Sequence, residues 1–444
     1  MSTTRDASKP ASTLGQFSWA MFDWANQPFF TVVTTFIFGP YFVNVMIGDP
    51  VAGQSAWGFT QSAAGIVIAV LSPFLGAMAD AGGRRKPYVF FFQLLLFAGC
   101  AGLWWAYPHR PDLALPIGAS IIVATIGAEM SIVFNNAQLP SLVRPERIGR
   151  LSGFAWGLGY VGGLIALFVV LAFQFTRGSD PSFTLERLTG PASALWLAVF
   201  VLPMFLFTPD RAPRNVSALE AARQGGHALL ETLRKLRSYR NLLTFLVAFM
   251  LYNDGLAAII AFGGVYASAT FGWPTMTLGI FGIIITVFAI PGAMLGGRLD
   301  DRLGSKRTVQ AAILGVIVAT LGIVSVTGDR VLFVVPAAPL DPARGLFGST
   351  QELVFMAFAL LLGVCMGPMQ AASRTLIGRL APTGMEGEFY GLFALSGRAT
   401  AWLAPLAIGV LTAATQSNRL GVACVLVFLV LGFALFLRVR EERG

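Results

Sequence analysis

Twelve apolar stretches, each near the length needed to cross a bilayer, constrain this chain more than any other feature. A span takes about 20 mostly apolar residues. The stretches lie near 17–46, 61–80, 87–107, 113–139, 151–175, 192–208, 241–270, 276–299, 308–326, 351–378, 389–414 and 418–438. Hydrocarbon offers the backbone no hydrogen-bonding partner, so each stretch is expected to be a helix. Only 12% of the residues are charged, and 55% are hydrophobic. A soluble domain carries roughly 25% charged residues. The expected fold class is therefore all-α: a polytopic membrane protein with twelve transmembrane helices in two pseudo-symmetric six-helix bundles. Pro28, Pro73, Pro203, Pro291, Pro368 and Pro405 fall within spans and predict kinks.

The net charge of +9 does not point to nucleic acid. Most of the Lys and Arg fall in alternate loops and the termini, which is the positive-inside pattern. It predicts cytoplasmic termini in a cell (inner or plasma) membrane. The expected parts are a 1–16 tail, a 17–208 bundle, a basic 209–240 linker, a 241–438 bundle and a 439–444 tail. Leu229, Leu233 and Leu236 recur at helical spacing in the linker, predicting an amphipathic helix on the membrane surface. Cys100, Cys365 and Cys424 lie in apolar runs and form no metal-ligand spacing, and His109 and His227 fall in connecting segments. There is no Walker loop, nucleophile elbow or metal-spaced set, so neither an enzyme nor a cofactor is expected. Gly157, Gly159 and Gly162 match the dinucleotide fingerprint as a string, but no strand precedes them, and close helix packing is the better reading.

Polar groups inside the spans are the candidate site, because ionisable side chains there are costly and are kept for a use. Asp23 and Asn26 lie on one helical face of the first span. Asp23 reads either as a cavity carboxylate or as a cap at the inner interface. Asn253 and Asp254 stand deeper in the seventh span, as pathway residues or as structural hydrogen-bonding groups. Glu129 is mid-way along the fourth span, and Met366 takes its place in the second half. It is either a coupling-ion site or the partner of an intramembrane arginine, for which Arg398 is the candidate. Arg398 reads equally as a counter-ion for a substrate carboxylate. Asn135, Asn136 and Gln138 crowd the inner end of the fourth span, as capping or inter-helix groups or as substrate contacts.

The halves also repeat. Gly76, Asp80, Gly83, Arg84 and Arg85 follow the second span; Gly297, Asp301, Arg302, Gly304 and Lys306 follow the eighth, 221 residues later. Two readings stand for these loops: a cytoplasmic latch in which Asp80 pairs with Arg84 or Arg85, or plain topogenic charge. Internal symmetry in a polytopic chain points to a transporter with its site at the repeat interface.

The Gly-x-x-x-Asp-x-x-Gly-Arg-Arg loop resembles the signature of the major facilitator superfamily, with Ala81 where that family usually has a basic residue. Four segments resemble its vacuole-effluxer-like, autophagy-related branch: Trp19 to Asn26, Phe249 to Gly255, Ser152 to Gly163, and Glu388 to Arg398. The resemblance implies the major facilitator fold, alternating access and no enzymatic activity. Its fungal members are associated with amino-acid efflux from the vacuole. The expected function is a secondary transporter of a small polar solute, first an amino acid, with protons as candidate coupling ions. An exporter of amphipathic drugs, or a receptor or lipid-handling protein on this fold, is the alternative. A monomer in the lipid bilayer is expected.

Overall fold

A computed structural model describes residues 11–82, 84–144, 148–178, 182–210, 238–340, 345–380 and 386–441. Twelve helices are long and apolar enough to span a membrane. We label them α1 (Thr13–Met46), α2 (Pro50–Gly82), α3 (Lys86–Gly102), α4 (Ala114–Leu142), α5 (Ile148–Arg177), α6 (Thr184–Phe207), α7 (Arg240–Phe271), α8 (Thr275–Leu303), α9 (Ser305–Val324), α10 (Thr350–Leu380), α11 (Glu386–Thr415) and α12 (Asn418–Phe436). A short hairpin, β1 (Arg330–Val331) with β2 (Val335–Pro336), sits between α9 and α10. The amphipathic helix expected in the linker lies outside the described residues.

The first helix starts four residues before Phe17, because Ser12 caps it by accepting from the Gly15 N–H at 3.1 Å. Its winding then changes. Pro28 has no N–H to give, and Phe29–Phe36 and Phe42–Met46 are π-helical, with Ile37 N–H reaching back to the Val32 carbonyl at 3.0 Å. Such wide turns recur at functional sites. The chain divides into two compact units, Met1–Phe38 with Ala63–Glu231 and Gly39–Ser62 with Thr232–Gly444. The switch of units on α1 thus falls just beyond its first π-helical stretch.

Small residues let helices approach within each unit. A methyl group added at Gly127 of α4 would lie 2.4 Å from the Leu96 nitrogen, and one at Gly99 of α3 would lie 2.6 Å from the Ala124 nitrogen. In the second unit, Gly292 and Gly296 of α8 meet Val364 and Pro368 of α10 in the same way.

The two units repeat a construction that the sequence pattern does not display. In the first, α3 and α6 are strapped at both ends. Arg187 at the start of α6 donates from Nε to the Trp104 carbonyl at 3.0 Å and stacks over Tyr107. Beyond the far end of α6, Asp210 accepts from the N–H groups of Arg85 and Lys86 at 3.0 and 3.1 Å. In the second unit, Arg419 of α12 donates to the Val324 carbonyl at 2.7 Å and lies over Phe333. Beyond the end of α12, Glu441 accepts from the Lys306 N–H at 3.0 Å. Each carboxylate therefore caps the positive end of the third helix of its unit.

These contacts change the reading of the two inner loops. Arg85 is buried, and its guanidinium donates to the Ala137 carbonyl of α4, while Arg84 is exposed. The side chains of Asp80 and Asp301, together with Gly76 and Gly83, lie outside what the structure describes, so the Asp80 pairing stays an expectation. In the second loop the described acid is Asp300, which accepts from Ser305 Oγ at 2.6 Å and stands 3.7 Å from Arg379. Arg379 also pairs with Glu441 at 2.9 Å. Arg302 is exposed, and Gly304 joins α8 to α9 at φ +88°, a left-handed backbone that favours glycine.

Burial alone would raise the Glu441 carboxyl, but the Lys306 N–H and the Arg379 guanidinium hold it below the usual carboxylate range. A depressed folded pKa contributes stability that is present above the unfolded value and lost as pH falls through the folded value. The strap is therefore expected to be intact at neutral pH and to loosen only as pH falls below the ordinary carboxylate range. Hydrogen exchange at Lys306 N–H, corrected for intrinsic rate, should lose protection in that window and be insensitive to pH between about 6 and 8.

Candidate functional site

The second unit places its polar residues at a break in α11. The helix is continuous to Ala399, turns irregularly through Thr400–Trp402 and resumes at Leu403. Pro405 has no N–H, so the Ala401 carbonyl lacks its helical donor. Broken helices at membrane depth are tolerated where they are buried in protein or line a cavity. The break lies halfway along α11, and Asp254 lies halfway along α7. Arg398, half-buried, is on the last turn before the break. Asp254 is 2% exposed, and neither carboxyl oxygen has a hydrogen-bond partner among the described residues. Thr400 is close enough to act on that carboxyl, but the pair lacks good hydrogen-bond geometry. Asn253 points at the same helix, its amide 3.5 Å from the Gly397 carbonyl. Adjacent positions on α7 thus both address α11. Tyr252 turns the other way, sharing a 2.7 Å hydrogen bond with Ser373 of α10.

In the first unit α1 meets α5 through the fingerprint glycines. A methyl at Gly159 would lie 3.3 Å from Asp23 Cβ, one at Gly162 would lie 3.0 Å from the Trp24 carbonyl, and one at Gly163 would lie 2.7 Å from Thr31 Oγ1. Close packing holds at these positions; Gly157 has nothing within 4 Å. In the second unit, a methyl at Gly397 would lie 3.2 Å from a Phe249 ring carbon and 3.6 Å from Asn253 Nδ2. Asp23 is half-buried and makes no hydrogen bond or ion pair among the described residues. It stands about 10 Å towards the N-terminal end from the midpoint of α1, at 1.5 Å per residue.

Asn26 does not share that environment. It is 3% exposed, donates to the Phe22 carbonyl at 2.8 Å and accepts from Gln93 Nε2 at 3.0 Å. Gln93 also donates to Ser131 Oγ at 2.8 Å, tying α1, α3 and α4 together. Gln93 was missed in the sequence, although it is a lone amide in an apolar stretch. Replacing it with Leu is expected to cost about 1–2 kcal/mol, because Asn26 loses its acceptor contact in a buried setting. Unfolding of the purified protein in mild detergent measures that loss. Glu129 is half-buried midway along α4. Asn135 and Gln138 are 1% and 2% exposed, yet their amide groups have no partner among the described residues. The backbone carbonyls are used instead, Asn135's by Trp19 Nε1 at 2.9 Å and Gln138's by Ser141 Oγ at 2.6 Å. Of the readings the sequence left open, capping or inter-helix bonding by the Asn135 and Gln138 side chains has no counterpart among the described residues. Groups left in this state take a water or a solute.

A third cluster binds the start of α2 to α11 and α12 within the second unit. Gln54 Nε2 donates to Thr412 Oγ1 and to the Asn418 carbonyl at 2.8 and 3.0 Å, and Ser55 Oγ donates to the Gly409 carbonyl at 3.0 Å. Gly58 lies against Gly409 so closely that an added methyl would fall 2.8 Å from its Cα.

Twelve apolar helices, two repeated units and polar groups halfway along the helices define an integral, multi-pass membrane protein of the major facilitator fold. Solved transporters share it: a D-xylose–proton symporter matches with a TM-score of 0.67 at 14% identity, covering 97% of this chain and 99% of that one. The nucleoside transporter NupG matches with a TM-score of 0.65 at 14% identity, covering 97% and 100%. The chain belongs to the vacuole effluxer Atg22-like family, whose model matches residues 41–149 and 146–444. The uncharacterized MFS-type transporter YxiO of Bacillus subtilis is 26% identical over 96% of this chain and 94% of its own length. Autophagy-related protein 22-1 of Neosartorya fischeri is 26% identical over 66% of this chain, but the match spans only 48% of that longer protein. These relatives and structural neighbours are transporters, not enzymes.

Proposed function

We propose that the protein is a secondary active transporter that moves a small polar solute by alternating access, an amino acid being the leading class. The observation that carries this reading is Asp254: a mid-span carboxyl without a hydrogen bond, beside a broken helix that presents Arg398. A zwitterion needs a cation for its carboxylate and an acceptor for its ammonium group. Arg398 supplies the first, and Asn253 and the Ala401 carbonyl left without its donor at the break supply the second. Burial of an anion costs more than burial of the neutral acid, so taking up a proton at Asp254 eases re-orientation of an empty carrier. Asp23 and Glu129 are the further candidates for that coupling, with Asp23 nearer the inner end. Asn26 holds the first unit's helices in register around them. Arg85 and Lys306, with the remaining inner-loop residues, act as gating elements on the cytoplasmic side. Both termini face the cytoplasm of a cell-membrane protein that works as a monomer.

Proteoliposomes loaded with unlabelled amino acids test this through counterflow of a labelled one, with and without a pH gradient. Saturable counterflow, stimulated by the gradient, is expected. Uptake of amphipathic drugs with no amino-acid counterflow replaces the substrate class, and the absence of any solute flux removes the transporter reading.

A further inference from the structure

The inner end of the second unit carries a cavity of about 510 Å³ lined by Leu303, Lys306, Arg307, Arg440 and Glu441. Its charges are not balanced. Glu441 is already engaged by Arg379 and the Lys306 N–H. The side chains of Lys306, Arg307 and Arg440 have no carboxylate partner among the described residues. The walls are fixed in advance: Asn241 Nδ2 donates to the Arg440 carbonyl at 2.7 Å, and Arg440 N–H donates back to Asn241 Oδ1 at 2.8 Å. Three cations around one cavity, with the backbones of Arg440 and Lys306 held by Asn241 and Glu441, form a receptor for a multivalent oxyanion.

The approach to the cavity is apolar. Phe288, Leu295, Leu299 and Leu303 recur along one side of α8 and are all exposed, at 45%, 49%, 39% and 39%. The stripe ends in the cavity, because Leu303 belongs to both. An acyl chain would lie along such a stripe, whereas a free phosphate would make no use of it. We propose that this cavity binds the phosphodiester headgroup of an anionic phospholipid of the inner leaflet, with an acyl chain along the α8 stripe. The cations then sit where clustered basic residues attract acidic headgroups, each contributing about 1 kcal/mol. This site is separate from the polar groups of α7 and α11 and does not depend on the proposed substrate.

The test uses the full-length protein in nanodiscs of phosphatidylcholine, titrated with phosphatidylglycerol and read by native mass spectrometry of retained lipid. The comparison is the double variant R307Q/R440Q. Both side chains are exposed and unpaired, so its thermal unfolding in pure phosphatidylcholine is expected to match that of the parent protein. The expected result is one preferentially retained phosphatidylglycerol, weakened about thirtyfold in the double variant, equivalent to about 2 kcal/mol. A second variant, Leu299→Gln, is expected to weaken retention without altering the charge. Equal retention by the parent protein and R307Q/R440Q overturns the proposal. So does displacement of the lipid by millimolar inorganic phosphate with no effect of Leu299→Gln, which would mark the cavity as a free-phosphate site.

Discussion

Asp254→Asn is expected to uncouple transport from pH while leaving solute exchange in place. The amide copies the shape of the protonated acid but cannot release a proton. Gradient-driven accumulation in proteoliposomes should fall by at least about tenfold, equivalent to about 1.4 kcal/mol of lost coupling. Counterflow at equal pH on the two sides should persist, because it needs only loaded re-orientation. Stability separates this from simple damage. The wild-type carboxyl is 2% exposed, with no hydrogen bond at either oxygen among the described residues, so removing its capacity for charge is expected to raise thermal stability rather than lower it. Unchanged pH-dependent accumulation in the variant would remove Asp254 from the coupling step and leave Glu129 and Asp23 to be tried in turn. A matched Asp23→Asn variant is expected to show the smaller effect, since Asp23 stands nearer the N-terminal end of its helix than the midpoint.

The second large effect is expected at Gly58. Its backbone meets Gly409 so closely that a β-carbon would fall 2.7 Å from the Pro405 carbonyl oxygen. Valine cannot fit there unless α2 and α11 move apart. That separation would also break the hydrogen bonds from Gln54 to Thr412 and from Ser55 to the Gly409 carbonyl. Gly58→Val should therefore favour the arrangement in which this seam is open. The readout is labelling of a cysteine at Gln54, in a background free of the native cysteines, by a membrane-impermeant maleimide. Gln54 is 0% exposed, so little labelling is expected with Gly58 in place. At least about tenfold faster labelling is expected in the valine variant, because a clash of this size costs a few kcal/mol to keep. If the rate does not change, the seam yields by local adjustment and is not a gate.

The α-helical class, the number of helices and the repeat of inner loops were all legible along the chain. Each depends on a local property: the length of an apolar run, the absence of water to satisfy backbone groups, or the spacing of glycine and charge. Asp254 and Glu129 were legible as well, because a carboxylate in an apolar run is conspicuous wherever the helix packs. The close packing of Gly159 and Gly162, though not of Gly157, followed from the failure of any strand to precede them.

What was not legible depends on which helix stands beside which. Gln93 looks like an isolated amide until α3 is set between Asn26 and Ser131. Asp210 and Glu441 look like ordinary charges after an apolar run until they cap α3 and α9. Asp300 and Asp301 are adjacent, and only the packing of Arg379 and Ser305 around Asp300 tells them apart.

The sequence by itself determined that the chain crosses a membrane twelve times and keeps ionisable groups within it, because the cost of unsatisfied backbone and buried charge is paid locally, residue by residue. The tertiary structure alone decided which of those groups meet a partner. A hydrogen bond reaches about 3 Å, and residues more than a hundred positions apart come within that distance only after the helices have packed.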